Sequence, residues 1–159
     1  MEMQIIDLKR KNFDFKEFFT KDNLLQFYEL SKEEQEKYLK NGLLIANKIQ
    51  QIRDLLNLSI NITSGWRSIK NNAIAGGKAT SQHLIFQAVD WQPVKDGKIC
   101  RDRDFLNEIV LKIKKSNIEV DQCLIEDSWI HTSIKGNNNR NEFATYFKNN
   151  NGERIKKII

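Results

Sequence analysis

The chain has 159 residues, of which 40% are hydrophobic and 30% are charged, and its formal net charge is +5. This length and composition predict one globular domain over residues 1–159, with a core that needs no disulfide staples. The excess of basic residues favours polyanionic partners such as nucleic acid, anionic lipid or cell-wall polymers. No segment approaches the roughly 20 apolar residues of a membrane span, so we expect no membrane partner.

The ends of the chain and its cysteines suggest where it is made. Cys100 and Cys123 form no C-x-x-C pair, which is typical of a disulfide-free protein from a reducing compartment. The N-terminus carries Glu2 and Asp7 and has no apolar run of the length that a secretion signal needs. We therefore expect synthesis in the cytoplasm without a signal peptide.

Two helices are predicted. A short Phe-rich segment with core anchors at Phe13, Phe15, Phe18 and Phe19 precedes the first. From Ser31, which has capping-box spacing to Glu34, apolar residues recur at helical intervals to Leu56, and Asn41-Gly42 is a potential interruption. The second helix spans Asp102 to about Lys115 and has one apolar face.

Four stretches have strand character, namely residues 59–66, 87–92, 120–127 and 128–134. The last two are nearly contiguous and predict an antiparallel hairpin. The tail from about residue 148 has a composition typical of a mobile or loosely docked end. Helices mixed with short antiparallel strands predict an α+β domain.

The two histidines of the chain, His83 and His131, both adjoin predicted strands. His83 and Asp90 lie seven residues apart, which in a straight strand would separate them by roughly 23 Å on opposite faces. They can share a site only if the chain bends between them, with His83 in a loop and Asp90 in the next strand. A His/Asp/His set suits zinc, and the alternative is a hydrogen-bonded histidine with an unrelated aspartate.

Several ordered motifs resemble the zinc D-Ala-D-Ala carboxypeptidase family, which includes phage and bacterial peptidoglycan endopeptidases. These motifs are SGWR (64–67), GGKATSQHLIFQAVD (76–90), DQCLIE (121–126) and WIHTS (129–133). The family pattern is S-x-H-x-x-G-x-A-x-D, then an acidic residue and a W-x-H or W-H. The resemblance implies a Hedgehog/DD-peptidase-like fold, in which a small antiparallel sheet carries the zinc site between flanking helices.

The same resemblance implies the site residues. His83, Asp90 and His131 would bind Zn²⁺. Arg67 would contact substrate, although a surface arginine is the simpler alternative, and Ser81 would hydrogen-bond to substrate or within the site. Asp121 and Gln122 could orient the ligands by hydrogen bonds.

One residue departs from the family pattern, because Phe86 stands where the family has glycine. If the backbone there has a positive φ, phenylalanine would be strained by roughly 1–2 kcal/mol. Otherwise the backbone differs, or the aromatic side chain caps the site.

The general base is predicted to be Glu126, with Asp127 as the alternative. If Asp127 and Ser128 form a two-residue turn, Glu126 faces Trp129 and lies diagonal to His131 on the same side of the hairpin, at roughly 5–8 Å. A longer loop would turn Asp127 inward instead.

We therefore expect a monomeric zinc peptidase that cleaves peptidoglycan stem peptides, such as an L-Ala-D-Glu endopeptidase of the phage or prophage endolysin type. It would reach the anionic cell wall after release from the cytoplasm. The alternatives are a D-Ala-D-Ala carboxypeptidase and an inactive wall-binding or virion module of the same fold. A nucleic-acid-binding protein is the third class, and it predicts steeply salt-dependent DNA binding without zinc.

Overall fold

The computed structural model describes residues 7–159, so the N-terminal feature at Glu2 lies outside the described residues. The helices are α1 (Lys21–Glu29), α2 (Lys32–Leu56), α3 (Ile69–Ile74) and α4 (Arg103–Lys115). The strands are β1 (Ser59–Ser64), β2 (Ala88–Lys95), β3 (Lys98–Ile99), β4 (Gln122–Ile125), β5 (Ile130–Ser133), β6 (Glu142–Lys148) and β7 (Arg154–Ile158). This arrangement has the predicted α+β class. Within the described range, no helix is long and apolar enough to cross a membrane.

The seven strands form one sheet in the order β1-β2-β5-β4-β6-β7, and β3 pairs with β2. All neighbouring strands are antiparallel except β4 and β6, which are parallel. The predicted sheet was wholly antiparallel, and this pair corrects it. The chain makes the β4–β5 hairpin and then returns past the end of the sheet, so that β6 starts beside the start of β4.

Helix α2 begins where the capping pattern predicts, because the Ser31 hydroxyl accepts a hydrogen bond from the Glu34 amide at 3.1 Å. It runs without interruption through Asn41-Gly42 and ends at Asn57, which has a left-handed conformation. Its buried residues include Ile45, Ile49 and Ile52 at helical spacing. Burial of this apolar face outweighs the roughly 1 kcal/mol that glycine costs in a helix interior.

Gly42 has a packing role, because it faces the ring of Phe86. A Cβ atom at position 42 would lie 2.8 Å from Cε2 of Phe86, which is closer than atoms can pack. Phe86 has φ 61° and ψ 37°, so the positive φ considered from the sequence is present. Its ring is fully buried against Phe18 and Phe19. The ring therefore belongs to the core and does not cap the site, and its burial offsets the backbone strain.

Side chains on the two faces of the sheet have different roles. Because strand side chains alternate, Trp91 and Ile130 point into the core, together with apolar residues of α2 and α4. Asp90 and His131, one residue along from these two, point to the opposite face. Helices α2 and α4 thus pack on one face of the sheet, and the polar residues of the site lie on the other.

The C-terminal tail forms a paired strand. Strand β7 pairs antiparallel with β6, with register from Ala144↔Ile158 to Lys148↔Arg154. The predicted loosely docked end is therefore an edge strand in the structure. The polar composition on which the prediction of a mobile or loosely docked end rested reflects an edge strand, in which most side chains are exposed.

Candidate metal centre

Three side chains from a turn and two strands converge on the open face of the sheet. Asp90 of β2 is the direct antiparallel partner of His131 of β5, so their side chains lie on the same face. His83 lies in a 3-10 turn that ends at Phe86, whose left-handed conformation bends the chain into β2. This is the bend that the seven-residue spacing requires.

The distances among these three residues fit one metal ion. His83 Nε2 lies 3.3 Å and His131 Nδ1 lies 3.0 Å from Asp90 Oδ1. Candidate ligand atoms of all three residues lie within 4.8 Å of one another. Two ligands of a tetrahedral zinc ion, each about 2.0–2.1 Å from the metal, are separated by about 3.3 Å. The donor set therefore fits zinc in both chemistry and spacing.

Neighbouring backbone groups hold the His83 ring. Its Nδ1 lies 2.7 Å from the carbonyl oxygen of Gly65 and donates to it in the tautomer that leaves Nε2 free for a metal. Residue 65 must be glycine, because a Cβ atom there would lie 2.1 Å from the carbonyl oxygen of Phe18. The Ser81 hydroxyl accepts a hydrogen bond from the His83 amide at 3.3 Å. In this structure Ser81 therefore orients the turn that carries the ligand.

Arg67 reaches the centre from the other side of Asp90. Its Nη2 donates to Asp90 Oδ2 at 2.8 Å, and its Nε donates to the Ser64 hydroxyl at 2.9 Å. The Arg67 amide donates to the carbonyl oxygen of His83 at 3.1 Å. The contact between Arg67 and the Asp90 carboxylate was not predicted, and no local sequence signal announces it.

Burial and neighbouring charge set the protonation states of two of the three residues, His83 and Asp90. Burial lowers the pKa of His83, which favours the neutral imidazole. For Asp90, burial opposes ionisation, but His83 and His131 hold the pKa of its carboxyl well below the usual range. Burial thus favours the neutral ring of His83, and the Asp90 carboxyl is held ionised, as metal binding requires of these two residues.

Glu126 lies where the hairpin geometry predicts. Its amide donates to the carbonyl oxygen of Trp129 at 2.9 Å, which leaves Asp127 and Ser128 as a two-residue turn. Leu124 is the direct partner of His131, so Glu126 is two positions further along the same face. Asp127 is exposed in the turn.

The Glu126 carboxylate has a partner that the sequence did not suggest. Arg154 of β7 places Nη2 2.5 Å from Glu126 Oε2. Arg103, the first residue of α4, donates to the backbone carbonyls of Glu126 and Asp127 and holds the turn in place.

Within residues 7–159, the hydrogen bonds of the Asp121 and Gln122 side chains go to residues other than the three candidate ligands, and their orienting role stays a prediction. Asp121 is fully buried and accepts hydrogen bonds from the Arg140 amide, Nε and Nη2. Gln122 donates to the Glu142 carboxylate at 2.9 Å. Asp121 is thus held by the loop before β6 and Gln122 by the first residue of β6, partners that sequence spacing alone could not reveal.

A groove of about 550 Å³ connects these groups. Its lining includes the three candidate metal ligands, Glu126 and basic residues from several elements, namely Arg67, Lys78, Arg140, Lys148 and Arg154. His131 is partly exposed, whereas His83 and Asp90 are buried. The centre is therefore closed on the core side and open toward the groove, as a catalytic metal site must be.

A His/Asp/His set that opens to a groove also lined by a carboxylate is typical of metal-dependent hydrolases. The sequence profile of the Peptidase M15 family matches residues 11–133, which is most of the chain. The chain belongs to this family and is a metallopeptidase. The resemblance read from the motifs is thereby confirmed. No curated protein matches the chain.

Membership in this family supports the coarser part of the predicted function, a zinc peptidase acting on peptidoglycan. Strands β6 and β7 lie beyond the matched residues. The part of the groove that they form, including Arg154, is therefore outside the matched residues.

Proposed function

We propose that this protein cleaves peptide bonds within peptidoglycan stem peptides, at L-Ala-D-Glu or a similar bond, as a monomeric endolysin of the phage or prophage type. One observation carries the proposal: Asp90, His131 and Glu126 lie on the same sheet face, and His83 joins them from the preceding turn along one open groove. A groove of this kind admits an extended peptide across the centre. The net charge of +5 suits an anionic cell wall as the place of action after release.

His83, Asp90 and His131 would hold the zinc ion, which when bound lowers the pKa of a water molecule and polarises the scissile carbonyl. The chain itself supplies the remaining groups. Glu126 would accept a proton from the attacking water and deliver it to the leaving amine. Its position at the end of β4, on the face that carries His131, supports this role.

Arg67 would contact substrate as well as Asp90. A guanidinium has five N–H donors in a planar fork, and Asp90 and Ser64 occupy only part of that fork. The remaining donors are available to a carbonyl or carboxylate of a peptide in the groove. Arg67 would thus hold both the Asp90 carboxylate and the substrate in place. Ser81 would stabilise the adjoining turn.

The test is mass spectrometry of purified peptidoglycan sacculi after incubation with the zinc-loaded protein. New fragments that begin within the stem peptide support the proposed endopeptidase. Loss of only the terminal D-Ala would assign a D-Ala-D-Ala carboxypeptidase instead. Binding to sacculi without any cleavage would assign an inactive wall-binding or virion module. Salt-sensitive DNA binding without sacculus binding would return the protein to the nucleic-acid class.

A further inference from the structure

The ion pair between Arg154 and Glu126 connects the part of the chain that matches the family profile with the part that follows it. Glu126 lies within the matched residues, whereas Arg154 lies on β7 beyond them. Register brings them together: β6 pairs with β4 at Thr145↔Ile125, and β7 pairs with β6 at Lys148↔Arg154. A basic side chain is thus placed directly on the proposed general base.

This ion pair lies at the rim of the groove and is suited to exchange. The Arg154 side chain is 57% exposed, whereas that of Glu126 is 17% exposed. The Arg154 end of the pair is open to water and salt, which screen the attraction between the two charges. A carboxylate of a bound ligand could therefore replace Glu126 at small cost.

Arg154 would stay at the groove after such an exchange. Its guanidinium carbon lies 3.8 Å from the centre of the Tyr146 ring, so the aromatic face holds the cation independently of Glu126. Two other arginines of the groove are held by buried carboxylates, Arg67 by Asp90 and Arg140 by Asp121. The partner of Arg154 is different, because Glu126 must be free to accept a proton during the proposed reaction.

We propose that Arg154 binds a free carboxylate of the substrate next to the scissile bond, and that this carboxylate displaces Glu126 and frees it for proton transfer. This inference rests on the proposed function and adds a specificity residue to it. Arg154 would favour stem peptides with an unmodified carboxylate over peptides in which the same group is an amide. A guanidinium donates to an amide oxygen, but without the attraction between opposite charges.

The kinetic test compares two synthetic stem peptides that begin L-Ala-D-Glu, one with the D-Glu α-carboxylate free and one with it converted to the amide. For the wild type, we expect kcat/KM on the acid to exceed that on the amide by about 10- to 100-fold, the range for a charge-assisted contact. Arg154→Gln should abolish the preference for the acid, because cleavage of the acid falls while cleavage of the amide stays equal or rises once Glu126 is no longer held by Arg154. Equal losses on both peptides, or no loss on the acid, would overturn the proposal.

The matched control is Lys157→Gln. Lys157 lies on the same strand as Arg154 but three residues away, so its side chain points to the opposite face. This variant removes the same charge from β7 and should keep the preference for the acid. The Tm and the zinc content should be unchanged in both variants. If only Arg154→Gln has a reduced Tm, its kinetic effect is assigned to destabilisation of β7.

A binding test separates this proposal from the proposed function. In Glu126→Gln the competitor for Arg154 is removed, so calorimetry should show tighter binding of the acid peptide than to the wild type. In the double variant with Arg154→Gln that gain should disappear. If the wild type cleaves neither peptides nor sacculi, the proposed function fails, and loss of the gain in the double variant still supports the carboxylate site. Equal affinities in the single and double variants would refute it even in an active enzyme.

Discussion

Arg67 donates a hydrogen bond to Asp90 Oδ2 over 2.8 Å, while both histidines approach the other oxygen of the same carboxylate, Oδ1. The Asp90 carboxylate thus has the Arg67 guanidinium on one side and the candidate metal position on the other. Its orientation is fixed before a metal binds, because Ser64 in turn accepts from Arg67 Nε. Hydrogen bonds of this kind to a metal ligand fix its orientation, and their loss typically lowers metal affinity about 10- to 100-fold.

The purified protein should hold about one zinc ion per chain, because one His/Asp/His set with suitable spacing is present in residues 7–159. His83→Ala or Asp90→Ala should remove the metal and the activity together, since two remaining ligands bind zinc weakly. Elemental analysis after dialysis measures the metal. Asp104→Ala, at an exposed position of α4, is the control and should retain zinc. Full zinc content in His83→Ala would contradict the assignment.

Arg67→Ala should lower zinc affinity by about 10- to 100-fold, the usual cost of losing a group that orients a ligand. Arg67→Lys should retain more zinc but lose much of kcat/KM, because lysine cannot reproduce the planar fork. Competition with a chromophoric chelator measures the affinity. Lys70→Ala, which removes an exposed charge on α3, provides the comparison. If both alanine variants bind zinc like the wild type, Arg67 does not support Asp90.

Glu126→Gln should keep zinc and thermal stability and reduce turnover by about 10²-fold or more, because the amide cannot take up a proton. Asp127→Asn should have a mild effect, since Asp127 is exposed in the turn. Single-turnover kinetics on a stem peptide distinguish the two. The reverse pattern would assign the general base to Asp127.

Gly42→Ala should destabilise the protein by about 1–3 kcal/mol, because the new methyl group meets the Phe86 ring. Phe86→Gly should cost about 3–5 kcal/mol for the lost ring, less the roughly 1 kcal/mol of relieved backbone strain. In the Phe86→Gly background, Gly42→Ala should change sign and stabilise α2 by up to about 1 kcal/mol. Urea unfolding of the four proteins measures this coupling, and additive effects would rule it out.

Asp121 should contribute to stability in a pH-dependent way. Burial opposes its ionisation, but the hydrogen bonds from Arg140 lower the pKa of Asp121 to about 2. The unfolded value is about 3.9, so the unfolded state binds the proton first as the pH falls. The contribution is therefore complete above pH 4 and is lost between about pH 4 and pH 2. Tm measured against pH should fall less steeply over this window in Asp121→Asn, and parallel curves would contradict the role.

Much of the fold followed from periodic patterns and caps within short stretches. Ser31 and Asp102 cap helices α2 and α4 as predicted, and the predicted strands include β1, β2, β4 and β5. The register of the β4–β5 hairpin also followed, because a two-residue turn fixes which residues face each other. Patterns of this range encode backbone conformation directly, so the sequence alone determined them.

The sequence also determined the candidate ligand set, since ordered motifs place His83, Asp90 and His131 without reference to neighbours. The sequence could not determine which residues far apart in the chain contact these ligands or the residues around them. Arg67 on Asp90, Arg154 on Glu126 and Gly42 beneath Phe86 are contacts between residues 23, 28 and 44 positions apart. Such pairings depend on strand order and on the crossover that makes β6 parallel to β4. Only the tertiary structure decides them, because a side chain's type and spacing specify its chemistry and direction but not the partner that packing brings to it.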